Sequence, residues 1–151
     1  MRQTSRGREW AARILIGAVL VSNLYCAILF IWQPASYAPA FELSGASGEA
    51  AVRGMGVLFL MWNVPYAVAF INPIKHRLSL WEAITMQVIG VVGESLILAG
   101  LPAENMLARQ SITRFIVFDA AGLGALILAA WVSRGGTKNG GKRESGQEVV
   151  I

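Results

Sequence analysis

The chain has 151 residues, of which 55% are hydrophobic and only 15% charged, with a mean hydropathy of +0.53 and a formal net charge of +4. Soluble domains carry about 25% charged residues. That deficit, combined with apolar runs of spanning length, excludes a soluble globular protein, a disordered chain and a disulfide scaffold. What remains is an all-α, polytopic membrane protein.

A helix that crosses a hydrocarbon core of about 30 Å needs about 20 mostly apolar residues. Four stretches meet this requirement. The first, 14–32, is rich in Ile, Leu and Val and has no internal charge. It is too long for the apolar core of a cleaved signal peptide, the main rival reading, although Ala38-Pro39-Ala40 has the composition of a cleavage site. The connection that follows, Gln33 to Glu49, is the longest and holds Pro34, Pro39, Gly45 and Gly48 with Tyr37 and Phe41. An ordinary surface loop is the first reading; a lid of aromatic residues folded over the bundle mouth is the second. The second span, 50–71, carries Arg53 near its start and is interrupted at Asn63-Val64-Pro65. Pro65 has no N–H, so the Met61 carbonyl loses its helical partner. This predicts either a packing kink or a bend that faces a ligand. Asn72-Pro73 ends the span, because proline disfavours helical geometry in the residue before it. The third span, 80–101, opens on Ser79-Leu80-Trp81-Glu82, which has the pattern of a capping box. Pro102 and Glu104 then predict an amphipathic lead-in, Ala103 to Ser111, lying at the membrane surface. The fourth span, 112–132, carries Arg114 and Asp119 in its first third. The remainder, 134–151, is Gly-, Lys- and Arg-rich and reads as a disordered basic tail that leaves 1–133 as the transmembrane domain.

The basic residues set orientation. Arg2, Arg6, Arg8, Arg13, Lys75, Arg77, Arg134, Lys138, Lys142 and Arg143 fall on one side of a four-span layout, and only Arg53, Arg109 and Arg114 on the other. The positive-inside rule then predicts an antiparallel four-helix bundle in the inner (plasma) membrane with both termini cytoplasmic. Acidic residues sharpen the asymmetry: the cytoplasmic set is ten basic to four acidic, the other set three to five. Trp10, Trp32, Trp81 and Trp131 fall at predicted interfaces, as an aromatic belt requires, whereas Trp62 falls mid-span. The single cysteine, Cys26, reads as a packing residue, and the single histidine, His76, as a solvated turn residue. Neither supports a metal site, and no cofactor motif is present.

Ionisable groups inside a span face the bundle and seek partners. At 1.5 Å per residue, Arg53 and Arg114 lie near the outer surface, with Glu94 and Asp119 about 10 Å below it. Two arginines above two carboxylates predict a charge network. It reads either as a structural lock on register or as an outward-facing site for a head group, an anion or a proton. Glu94 is the leading proton-site candidate, unless an arginine holds it ionised. Asn23, Asn63 and Gln87 form a second, deeper layer near mid-membrane. Gln87, Gly90 and Glu94 share one face of the third span, and Gly56 and Asn63 share one face of the second.

Four short helices with both termini inside and the stretch Arg53-Gly54-Met55-Gly56 resemble the DoxX-like group of small bacterial membrane proteins. The resemblance covers roughly residues 12 to 133 and is mostly one of layout. It implies a loose link to redox or stress functions. The chain lacks the cysteines of disulfide-forming four-helix membrane enzymes and the first-helix glutamate of small multidrug transporters. The expected function is therefore non-enzymatic: binding or moving a small or lipophilic ligand through Arg53, Glu94, Arg114, Asp119, Asn63 and Gln87. The alternative is an accessory or assembly subunit with a structural charged layer. A lipid head-group enzyme using Glu94 or Asp119 as base is the weakest reading, since no nucleophile–base pair accompanies them. The expected partners are the bilayer, a lipophilic ligand, and a membrane-protein partner or second copy; no nucleic acid is expected. The topology has a direct test. In a Cys26→Ser background, Ser47→Cys is labelled by an impermeant thiol reagent from outside the cell and Lys75→Cys is protected. The reverse pattern inverts the orientation.

Overall fold

Residues 2–134 are described by a computed structural model, and four long helices account for most of them. Helix α1 spans Arg2–Trp32, a short helix α2 Pro34–Tyr37 and a 3-10 turn Ala38–Phe41. The bundle continues with α3 (Gly45–Ile71), α4 (Arg77–Gly100) and α5 (Met106–Ser133). Each of the four long helices is long and apolar enough to cross a membrane. The predicted tail, 134–151, lies outside the described residues except for Arg134.

All four helices extend beyond the spans read from hydropathy. The basic stretch before residue 14 continues α1, where Glu9 pairs with Arg13 one turn later at 2.9 Å. Helix α4 begins at Arg77 with no side-chain cap, so Ser79 is helical and the expected capping box does not form. The signal that shapes this turn is Asn72. Its Oδ1 accepts from the backbone N–H of Ile74 at 3.1 Å and of Lys75 at 2.8 Å, an Asx-type turn that ends α3 where Pro73 requires it. At the other end, the second half of the predicted surface lead-in, from Met106, is the first turn of α5 itself. Gly45, which opens α3, has φ +65°, a left-handed geometry that favours glycine.

Helix α1 packs against α3 and α5, and α4 packs against the same two helices on the opposite side, closing a four-membered ring. The start of α1 meets the end of α3 where Arg13 donates to the Ile71 carbonyl. The end of α1 meets the start of α3 where Arg53 Nε donates to the Ile31 carbonyl at 3.3 Å. Close approach at this second contact needs Gly56: a Cβ there would lie 2.8 Å from both the Ala27 carbonyl and Ile31 Cγ1.

The interior is layered. One apolar cluster, at the end of the bundle bearing Arg13 and Arg77, contains Ile16, Tyr66, Leu80, Ile84 and Leu126. A second, at the opposite end, centres on Phe30, Ala38 and Val52. Outside, Ile14, Val21, Tyr25, Ile89, Leu96 and Val117 lie exposed along the helices. Lipid covers such faces at no cost, whereas water would not. Trp10, Trp32, Trp81 and Trp131 are exposed in the way an interfacial belt requires, and Arg13 and Arg134 lie over the Trp10 and Trp81 rings at 5.4 and 5.5 Å.

Gly56→Ala should lower stability by about 1–3 kcal/mol by pushing α1 from α3. Gly54→Ala, which meets nothing within 4 Å, should cost nothing. Thermal unfolding of the two variants in detergent compares them directly.

Candidate functional site

Between the two apolar clusters each long helix contributes one polar side chain: Asn23 from α1, Asn63 from α3, Gln87 from α4 and Asp119 from α5. Gln87 is the centre of the layer. Its Nε2 donates to Asp119 Oδ1 at 3.0 Å and to the Asp119 backbone carbonyl at 3.1 Å. Its Oε1 accepts from the Tyr66 hydroxyl at 2.5 Å, with the Ala83 carbonyl 3.2 Å from the same hydroxyl. Three helices are thus tied through one buried amide. The approach depends on glycines facing each other across α4 and α5. A Cβ at Gly90 would collide with the Asp119 carboxylate, and one at Gly122 would lie 2.7 Å from Gln87 Nε2.

This places Asp119 one layer deeper than the sequence predicts. The reason is the length of α5: it starts at Met106, so Asp119 lies 13 residues inside it, level with Gln87 at 13 residues from the end of α4. Glu94 stays nearer the Phe30 end of the bundle, six residues from Gly100, with Oε2 buried and without a hydrogen-bond partner.

The predicted pairing of Arg53 and Arg114 with these carboxylates does not form. The ion pair among the described residues is Glu9–Arg13. The arginines near the helix ends instead meet backbone carbonyls that the last turn of a helix leaves without partners. Arg53 reaches Ile31 at the end of α1, and Arg13 reaches Ile71 at the end of α3. Arg109 reaches Leu98 at 3.1 Å and Leu101 at 2.7 Å at the end of α4. Each also places positive charge at the negative end of a helix dipole. Arg114 makes none of these contacts and lines a cavity.

That cavity, about 290 Å³, opens at the end of the bundle opposite Arg13 and is lined by Phe30, Tyr37, Phe41, Ser111, Arg114 and Phe115, among others. The Gln33–Glu49 connection is not an ordinary surface loop. It folds back so that Tyr37 and Phe41 join Phe30, with ring centroids 5.1 and 6.0 Å from it, and Phe41 stacks on Phe115 at 6.0 Å. Polar bonds hold it down: Ser111 Oγ donates to the Ala40 carbonyl at 2.6 Å, while the Glu42 carboxylate accepts from Asn105 Nδ2 and from the Leu107 N–H at 3.1 Å. Glu42 has φ 59° and serves as a cap for the start of α5 from a distant loop.

Deeper in lies a second, smaller chamber of about 30 Å³, lined by Asn23, Phe59, Trp62, Asn63, Gln87 and Asp119, among others. It shares Cys26, Phe115 and Phe118 with the outer cavity as a common wall. Of the six residues predicted as a site, Asn63, Gln87 and Asp119 meet at this chamber and Arg114 lines the space above it. Arg53 and Glu94 line neither. Sequence reasoning missed Tyr66, which sits one turn from Asn63 on the same face, and the aromatic wall formed by Phe30, Phe59 and Phe115. Comparison of the chain with protein-family models, curated proteins and solved structures finds no match.

The network predicts non-additive energetics. Tyr66→Phe should cost about 0.5–1.5 kcal/mol and Gln87→Leu about 1–3 kcal/mol, with the double variant less destabilised than their sum. Unfolding of the four proteins in detergent provides the cycle; strict additivity would contradict the shared network.

Proposed function

We propose that this multi-pass membrane protein binds a small lipophilic ligand in the aromatic cavity at the Phe30 end of the bundle. The carrying observation is the cavity itself: about 290 Å³ of space walled by aromatic rings, with Ser111 and Arg114 on its lining. Interiors fill such space when packing is the sole requirement. The strapped Gln33–Glu49 connection supports the reading, because its bonds to α5 hold the cavity's aromatic wall in place.

The distribution of basic residues supports a plasma-membrane location with both termini cytoplasmic and the cavity facing outward. Kinship with the DoxX-like group is part of the same proposal. It is supported by the layout and by Arg53-Gly54-Met55-Gly56, whose Arg53 and Gly56 both serve the contact between α1 and α3.

Ala40 lines the cavity, so Ala40→Phe fills it. Calorimetric titration of the detergent-purified protein with 1-octanol should give a saturable heat above the empty-micelle blank. The filled variant should lose that heat while its melting temperature holds or rises. Unchanged octanol affinity in Ala40→Phe, or no saturable heat in the wild type, would sink the proposal.

A further inference from the structure

Three features of the inner chamber point the same way. Asn63 is 4% exposed and its Oδ1 has no donor, while its Nδ2 donates to the Phe59 carbonyl at 2.6 Å. The orientation of that amide is chemically forced, since a carbonyl can only accept. The chamber is therefore lined by a residue whose buried acceptor lacks a proton donor. Asp119 adds a carboxylate that receives one hydrogen bond from Gln87 but forms no ion pair among the described residues. The arginines that could have neutralised it are committed to helix ends or, for Arg114, lie exposed beside the outer cavity. The walls are aromatic: Phe59 and Trp62, with centroids 5.9 Å apart, and Phe115 and Phe118. Acceptor, anion and aromatic faces around a space of about 30 Å³ form an environment suited to one kind of group, a small positive charge carrying N–H bonds.

We infer that the inner chamber receives the protonated amine of an amphiphilic ligand whose apolar chain occupies the outer aromatic cavity. This rests on the ligand-binding reading above and adds the chemical class of the ligand. With the shared side chains Phe115, Phe118 and Cys26 turned aside, the ammonium enters the chamber, lies against the Asp119 carboxylate and reaches the Asn63 amide, whose Oδ1 it satisfies once that side chain turns toward it. Its size suits the chamber, which has room for a group the size of a water molecule or an ammonium. Arg114, five residues before Asp119, is about 7.5 Å nearer the outer end along α5 and so acts on the chain end rather than the amine.

The test compares two ligands with the same chain, n-octylamine and 1-octanol, by calorimetry at neutral pH, each against its own micelle blank. The wild type should bind octylamine at least tenfold more tightly than octanol. Asp119→Asn keeps an acceptor for Gln87 and removes the charge; it should bring the two affinities together by weakening octylamine alone. Asn63→Leu should reduce the preference in the same direction, and it serves as the reading if Asp119→Asn does not fold. Equal affinities in the wild type overturn the amine assignment while leaving the cavity as a neutral-ligand site. An undiminished preference in the folded variants also overturns it. No saturable heat with either ligand is instead the failure of the cavity reading on which the assignment rests.

Discussion

The helix contacts of this bundle turn on a single constraint: a polar group held in an apolar medium is costly unless it finds a partner within the protein. Gln87 is where the constraint is met most fully. Its amide has donors and an acceptor to satisfy, and it satisfies them on two other helices, through Tyr66 on α3 and Asp119 on α5. Apolar packing between helices in lipid is weakly directional, because the lipid tails are as apolar as the side chains they replace. One bonded amide at mid-bundle therefore sets relative height in a way that the surrounding Leu, Ile and Ala cannot. Gly90 and Gly122 are small because the amide and the carboxylate lie against them.

The same constraint explains the arginines. Helix ends leave carbonyls unpaired, and near an apolar layer water reaches them poorly. Arg13, Arg53 and Arg109 each span from one helix to the end of its neighbour and donate there. In doing so they leave the carboxylates below without cations. A salt bridge inside the bundle would have had to desolvate both partners, whereas a guanidinium at a helix end keeps part of its surface exposed. The charge network suggested by counting residues gives way to helix capping for this reason. The Asp119 carboxylate beside the inner chamber, without an ion pair among the described residues, is its consequence.

The Gln33–Glu49 connection shows how a segment poor in apolar periodicity can still be structural. Pro34 and Pro39 open two short helical turns, and these deliver Tyr37 and Phe41 to rings from α1 and α5. Glu42 and Ser111 then fasten the segment to α5. The result is a lid whose aromatic face is a wall of the outer cavity, so the cavity and the long connection are one construction.

Hydropathy and charge by themselves determined that the chain is all-helical, that it carries four membrane-spanning segments, and which residues are polar inside them. Those properties depend on local composition: an apolar run of spanning length has few alternatives in lipid, and Asn72-Pro73 ends α3 with a side chain that bonds the next turn, which Val64-Pro65 lacks. They could not determine depth, since Asp119 is level with Gln87 only because α5 begins at Met106, six residues before the hydropathy-based boundary. Nor could they determine partners. Arg53 near Glu94 in depth looks like an ion pair until the end of α1 is placed beside it. Tertiary structure made these decisions because they depend on which helix ends and which faces meet. A hydrogen bond between residues 32 positions apart, such as Gln87 to Asp119, leaves no trace in the spacing of either helix.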